Sequence, residues 1–257
     1  MTANQLDKGA RIQLKTLEKQ NADEVAKHLV MAARLIDDDP ELAHRHAVSA
    51  SRRAGRIAVV RESLAITAYA TGDFALALRE LRTYRRISGS NDQLPLMVDS
   101  ERGIGRPDRA LELGRSVPRD SLPVGARVSL AIAMSGARLD LGQPDAALAE
   151  LEIPELDPTT AFSYSPPLFR AYGDVLEELG RTDDAAMWWD RADLAEEALG
   201  ADEDDDEIEI VEIDDDETTG AEPDDAAPVD AAETDNTSAP ARGDGESESR
   251  RRSDVEE

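Results

Sequence analysis

The sequence predicts an all-α protein, a helix-turn-helix repeat solenoid followed by a disordered acidic segment. Three observations predict it. A short pattern built on Gly and Ala recurs along the chain at near-constant spacing. The residues that carry it are dominated by alanine, leucine and arginine, with aromatics at only 4%, which favours helix over sheet. Near residue 200 the composition changes abruptly to Asp, Glu, Pro, Gly, Ser and Thr.

The repeat comes first, because a missed repeat misassigns a whole architecture. Its copies are Gly72–Leu78, Gly105–Leu111, Gly142–Leu148 and Gly180–Ala186, each with Ala five residues after the Gly. A fifth copy, Asp38–Ala43, carries Asp in place of Gly. Successive copies are 34, 33, 37 and 38 residues apart. Gly is expected to end one helix by adopting the left-handed conformation. Pro40, Pro107 and Pro144 suit the first turn of the next helix, where a missing N–H costs nothing. Glu41, Asp108, Asp145 and Asp183 follow, at the positive end of that helix. The small Ala43, Ala77, Ala110, Ala147 and Ala185 let the second helix approach the first. Apolar residues at helical spacing precede each turn, as in Met134, Ala137 and Leu141, or Tyr172, Val175 and Leu179.

Period, turn Gly and spaced Ala together resemble the tetratricopeptide repeat (TPR). The resemblance covers residues 22–199 and implies about five repeats. The family's large-small pair ahead of the turn is matched by Leu64-Ala65, Met97-Val98, Met134-Ser135 and Tyr172-Gly173. Its large residue nine after the Gly is matched by Leu81, Leu151 and Trp189. An apolar residue twelve after the turn position is matched by Ala50, Tyr84, Val117 and Ala192. Departures are Lys27 and Arg34 at expected core positions, Gly114 in place of a large residue, and two longer connections at 118–123 and 154–165. Residues 1–21, helical from Gln5, are expected to cap the array, and 200–257 to form the disordered tail.

The charge is uneven. Net charge is -27, and residues 201–257 hold 24 acids against four arginines, which leaves only -7 on residues 1–200. Within the tail, Ile208, Ile210, Val211 and Ile213 interrupt the acids, either as a segment that adds a strand to a partner or as an inert interruption. Residues 41–119 carry 14 arginines, no lysine and nine acids. Arg79, Arg82, Arg85 and Arg86 form a candidate basic patch there. The chain has no cysteine, which excludes disulfides and thiolate-bound metals. No signal-peptide core or membrane-length apolar run is visible, so a cytoplasmic, non-membrane protein is expected.

No constellation suggests an enzyme, a cofactor or a metal. His44 and His46 are two apart on one helix and point different ways, and Asp37-Asp38-Asp39 reads as a helix cap. The TPR resemblance implies a groove lined by first helices. Counting from the turn Gly, its candidates are Glu62, Ile66, Tyr69, Asp99, Arg102, Ile132, Arg170, Asp174 and Glu177. The leading expectation is a non-enzymatic scaffold or adaptor that binds a protein or peptide there, with Arg102 and Arg170 as anchors for acidic groups. The alternative is a nucleic-acid-associated protein that uses the arginine-rich 41–119 segment, with the acidic tail as an electrostatic competitor.

Overall fold

The computed structural model describes residues 2 and 5–204. The chain divides into Met1–Ile208 and Glu209–Glu257. The second unit lies outside the described residues, as do the side chains of the Ile208–Ile213 motif and the expected tail. Every regular element among the described residues is helical. In order these are α1 (Lys8–Leu14), α2 (Lys19–Leu35), α3 (Pro40–Ala54), α4 (Ala58–Ala70), α5 (Phe74–Ser88) and α6 (Leu94–Gly103). They continue as α7 (Pro107–Gly114), a 3-10 turn at Arg119–Ser121, α8 (Val124–Asp140), α9 (Pro144–Leu151), α10 (Ser165–Glu178) and α11 (Thr182–Asp204). Helix α2 starts at Lys19 and α11 ends at Asp204, so the expected boundaries at 21 and 199 fall inside helices. None of these helices is long and apolar enough to cross a membrane.

The repeated glycines act as helix stops. Gly72, Gly105, Gly142 and Gly180 have φ of 78, 75, 66 and 74°, the left-handed region closed to most side chains. Each is followed by the same backbone bond: Asp73, Arg106, Gln143 and Arg181 donate their N–H to Ala68, Glu101, Arg138 and Leu176, at 2.8–2.9 Å. That bond satisfies a carbonyl the helix end would otherwise orphan. The next helix then begins at once. Pro107 and Pro144 open α7 and α9, and Pro40 opens α3 behind the Asp39 cap. Asp39 and Asp73 accept the N–H of Leu42 and Leu76 at 2.9 and 3.0 Å, as an N-cap should.

Helices joined by these turns pack on each other, as α2 on α3, α4 on α5, α6 on α7, α8 on α9 and α10 on α11. Neighbouring pairs touch through α2 with α4, α3 with α4, α5 with α6, α6 with α8, and α10 with α8 and α9. The small residues sit at these crossings: Ala43, Ala77, Ala110, Ala147 and Ala185 have no exposed surface. Larger partners fill the layers between, with Leu81, Leu130, Leu151 and Leu168 fully buried. Each such side chain contributes about 1.5–3 kcal/mol on transfer from water.

The departures from the pattern have physical reasons. In α2 the buried face is Val25, Ala26, Leu29, Val30 and Ala32, so Lys27 is free to pair with Glu24 at 2.8 Å and Arg34 is exposed. Gly114 closes α7 against α8, and a Cβ there would meet the Met134 sulfur at 2.5 Å. Gly173 likewise lies against the Trp189 indole, where a Cβ would sit 2.6 Å from Nε1. Helix α1 ends at Leu14 rather than running to residue 21. It is tied on by buried Leu14, which packs with Val25 and Val60, and by Gln13, whose Oε1 accepts the Val59 N–H at 3.0 Å.

Arginines stitch successive helices together. Arg61 of α4 donates to Glu80 of α5 at 2.5 Å, and Arg82 of α5 to Glu101 of α6 at 2.8 Å. Both carboxylates are only 4% exposed at the side chain. Arg119 and Arg138 converge on Glu150 of α9, and Arg127 of α8 reaches Glu155 at 2.5 Å.

Candidate functional site

The sequence-derived groove residues fall into two groups. Six lie on or beside a row of hollows between α2, α4, α6 and α8; three do not. One hollow, about 580 Å³, takes its walls from α4, α6, α8, the segment before α10 and the first turn of α10. Tyr69, Asp99, Arg102 and Ile132 all line it. A second hollow of about 650 Å³ shares Pro95, Leu96, Gly125 and Ser129 with the first and adds Ile66 and Asp92. A third, about 230 Å³, shares Ile66 with the second and is lined otherwise by Ala32, Ala33, Ile36, Ser63 and Thr67. The shared residues make the three contiguous.

Local sequence explains the geometry. Leu96, Asp99 and Arg102 are three apart on α6, and Ile66 and Tyr69 three apart on α4, so each set lies on one helix face. Gly125, Ser129 and Ile132, four and three apart, share one face of α8. Pro95 lies in the first turn of α6 and Pro167 in the first turn of α10, so both rims begin on rigid backbone. Gly136 brings Arg102 in close: a Cβ at that position would sit 2.4 Å from the guanidinium carbon.

A polar network crosses the first hollow. The Tyr69 hydroxyl donates to Asp99 Oδ2, and Arg102 donates to Asp99 Oδ1 and, at 2.8 Å, to Asp140 Oδ2. Burial and the bond to Asp99 push the Tyr69 hydroxyl up to about 12, so it remains a donor at neutral pH. Burial opposes the Arg102 charge, but Asp140 and Asp99 outweigh it and hold its pKa above the ordinary value. Beside the second hollow, Gln93 donates to Glu62 at 2.8 Å. Burial pushes the Glu62 carboxyl up, against the bonds from Gln93 and Tyr84. Tyr164, at the far wall of the first hollow, stacks on the exposed Phe162 with ring centres 5.2 Å apart.

Of the other three groove candidates, Arg170 and Asp174 face α11 instead. Arg170 donates to Asp193 and Glu196 at 2.9 and 2.8 Å. Asp174 accepts the Trp189 indole N–H at 3.0 Å, and Glu177 is exposed and lines none of the three hollows. Arg102 and Arg170 therefore do not stand open for acidic groups, because each is already held between two carboxylates of this chain. The basic patch is divided too: Arg79 pairs with buried Glu80 and Arg82 with buried Glu101, while Arg85 and Arg86 lie in the last turn of α5.

The sequence reading missed Pro95, Leu96, Gly125, Ser129 and Tyr164. For Leu96 and Ser129 the signal was present, since each lies three residues before a predicted candidate. It also missed a histidine pair: His28 of α2 and His46 of α3 share a hydrogen bond between their Nδ1 atoms at 2.9 Å, while His44 bonds Thr67. Among the described residues no three His, Asp or Glu side chains cluster to hold a metal. The sequence matches no protein-family model and no curated protein.

Proposed function

We propose that the chain is a non-enzymatic scaffold, a TPR-like solenoid of about five repeats that binds a protein or peptide segment along its first helices. One observation carries this reading: three contiguous hollows run along α2, α4, α6 and α8, the helices that precede the turns. A hollow that sets Leu96, Ile132, Tyr69 and Tyr164 beside a polar network of Asp99 and Arg102 has the make-up of a binding site. The four matching Gly turns and the five buried alanines support the repeat assignment. The reading places the protein in the cytoplasm. Of the 14 arginines behind the nucleic-acid alternative, six (Arg61, Arg79, Arg82, Arg102, Arg106 and Arg119) pair with carboxylates of this chain.

Gly125 gives a direct test. It lines the two larger hollows, and a Cβ there meets nothing within 4 Å. Gly125→Trp should plug both without disturbing the helices. The full chain and this variant would serve as paired baits in affinity capture with quantitative mass spectrometry. A protein recovered by the first and lost from the second is the expected result; capture that ignores the plug would count against the groove.

A further inference from the structure

The charged groups along the hollows are mostly negative. Asp92 and Asp99 line them, with Arg102 as the single cation among the lining residues. Asp140 lies behind Arg102 and Glu62 behind Gln93, so four carboxyl groups and one guanidinium lie in or beside the hollows. Arg102 is held between Asp99 and Asp140, which leaves the network it belongs to net acidic. The Asp92 carboxylate is exposed and joins no ion pair among the described residues. Both Asp99 oxygens already accept one bond, and each carboxylate oxygen has a second lone pair to offer. Tyr69 and Tyr164 add two aromatic faces to the same hollow, a setting in which a cation gains from the ring quadrupole.

We infer that the segment these hollows accept is basic: a Lys or Arg side chain seated among Asp99, Tyr69 and Tyr164, with an adjoining apolar side chain over Leu96 and Ile66. This rests on the groove reading above and adds the chemistry of the occupant. An acidic segment meets the opposite situation. It would approach Asp92, Asp99 and Asp140 with only an already paired Arg102 to receive it, and like charges brought together cost affinity. A nucleic-acid strand meets the same repulsion.

The test is selection from a phage-displayed library of random short peptides on the immobilised full chain, counter-selected on Gly125→Trp. Both baits keep the acidic residues beyond Ala201, so peptides drawn only to that charge are discarded. Surviving sequences should pair Lys or Arg with a large apolar residue. Labelled copies, read by fluorescence polarisation, should bind Asp92→Asn about two- to fivefold more weakly, the range for one exposed charge pair. Asp92→Lys should weaken them further, as should added salt. Asp92 is exposed, so thermal melts of both variants should match the parent. Survivors that are acidic or uncharged, yet lost on Gly125→Trp, would overturn the basic-partner inference and leave the groove intact. If nothing survives counter-selection, the groove reading itself falls, and this inference with it.

Discussion

Gly125 and Gly142 predict opposite outcomes for the same substitution. Gly142 ends α8 at φ 66°, and a Cβ there would touch nothing within 4 Å. Gly142→Ala therefore adds no clash, only left-handed strain of about 1–2 kcal/mol. Part returns, about 0.4–1 kcal/mol, because Ala restricts the unfolded chain. The net is a destabilisation of about 1 kcal/mol. Gly125 also has open space at its Cβ but lies in the first turn of α8 without a positive φ. There Gly→Ala raises helix propensity and stabilises by about 0.5 kcal/mol, the lower end of the helical range because the site is terminal. The two single variants of the full chain should thus differ by about 1.5 kcal/mol, or about 3–6 °C in Tm for a folded region of this size. Far-UV circular dichroism melts and urea titrations would measure it, with unchanged m-values expected for both. Gly142→Asn should recover part of the loss, since Asn tolerates the left-handed region. A neutral Gly142→Ala, or a destabilised Gly125→Ala, would refute the assignment of these glycines to a helix stop and a helical turn.

Three further outcomes follow from the side-chain network. Arg61→Ala strips buried Glu80 of its 2.5 Å partner and leaves it to the exposed Arg79, so urea unfolding should show a loss of about 2 kcal/mol. Arg61→Met combined with Glu80→Met should recover most of that loss; an additive double-variant effect would argue against the pair. Burial raises the Glu62 pKa above 4.5, so the native state holds that proton more firmly than the unfolded chain, and stability is lost as pH rises through the raised value. Glu62→Gln should flatten that part of the stability profile and be no less stable at neutral pH. Burial lowers the His28 pKa from 6.5, aided by His46 and Arg53 and opposed by Glu24. Its contribution is therefore present above 6.5 and lost as pH falls through and below that value, and His28→Gln should lose less stability on acidification than the parent.

The helix pairs were legible because their signals are local. A glycine that must turn left-handed, a proline that can only start a helix and an alanine that must be small each act within a few residues. Gly105, Pro107 and Ala110 state one such turn in six residues of sequence. What periodicity did not supply was the identity of the buried face where charged residues intrude. In α2, counting from Asp38 put Lys27 and Arg34 in the core, whereas Val25, Leu29 and Val30 occupy it. The hollows were half legible for the same reason. Positions counted back from a turn found Tyr69, Asp99, Arg102 and Ile132, but Tyr164 reaches the same hollow from an irregular connection with no period to count. The His28 and His46 pair lies across two helices, 18 residues apart, and depends on their relative rotation.

Charge was the least legible property, and the reason bears on function. A count over residues 41–119 makes that segment net positive, as if its arginines were available to an anionic partner. The count stops at a sequence boundary that the packing ignores. Arg102 reaches Asp140 and Arg119 reaches Glu150, both acids from beyond the window. Arg61 and Arg82 turn onto Glu80 and Glu101, buried carboxylates that need them. An arginine used to join one helix pair to the next contributes little field at the surface, because its counter-charge is within hydrogen-bond distance. Asp92 has no such partner among the described residues, and it lies in a hollow rather than between helices. The potential a ligand meets is set by the charges left over after packing, and along these hollows those are carboxylates. A basic-looking segment can in this way present an acidic groove.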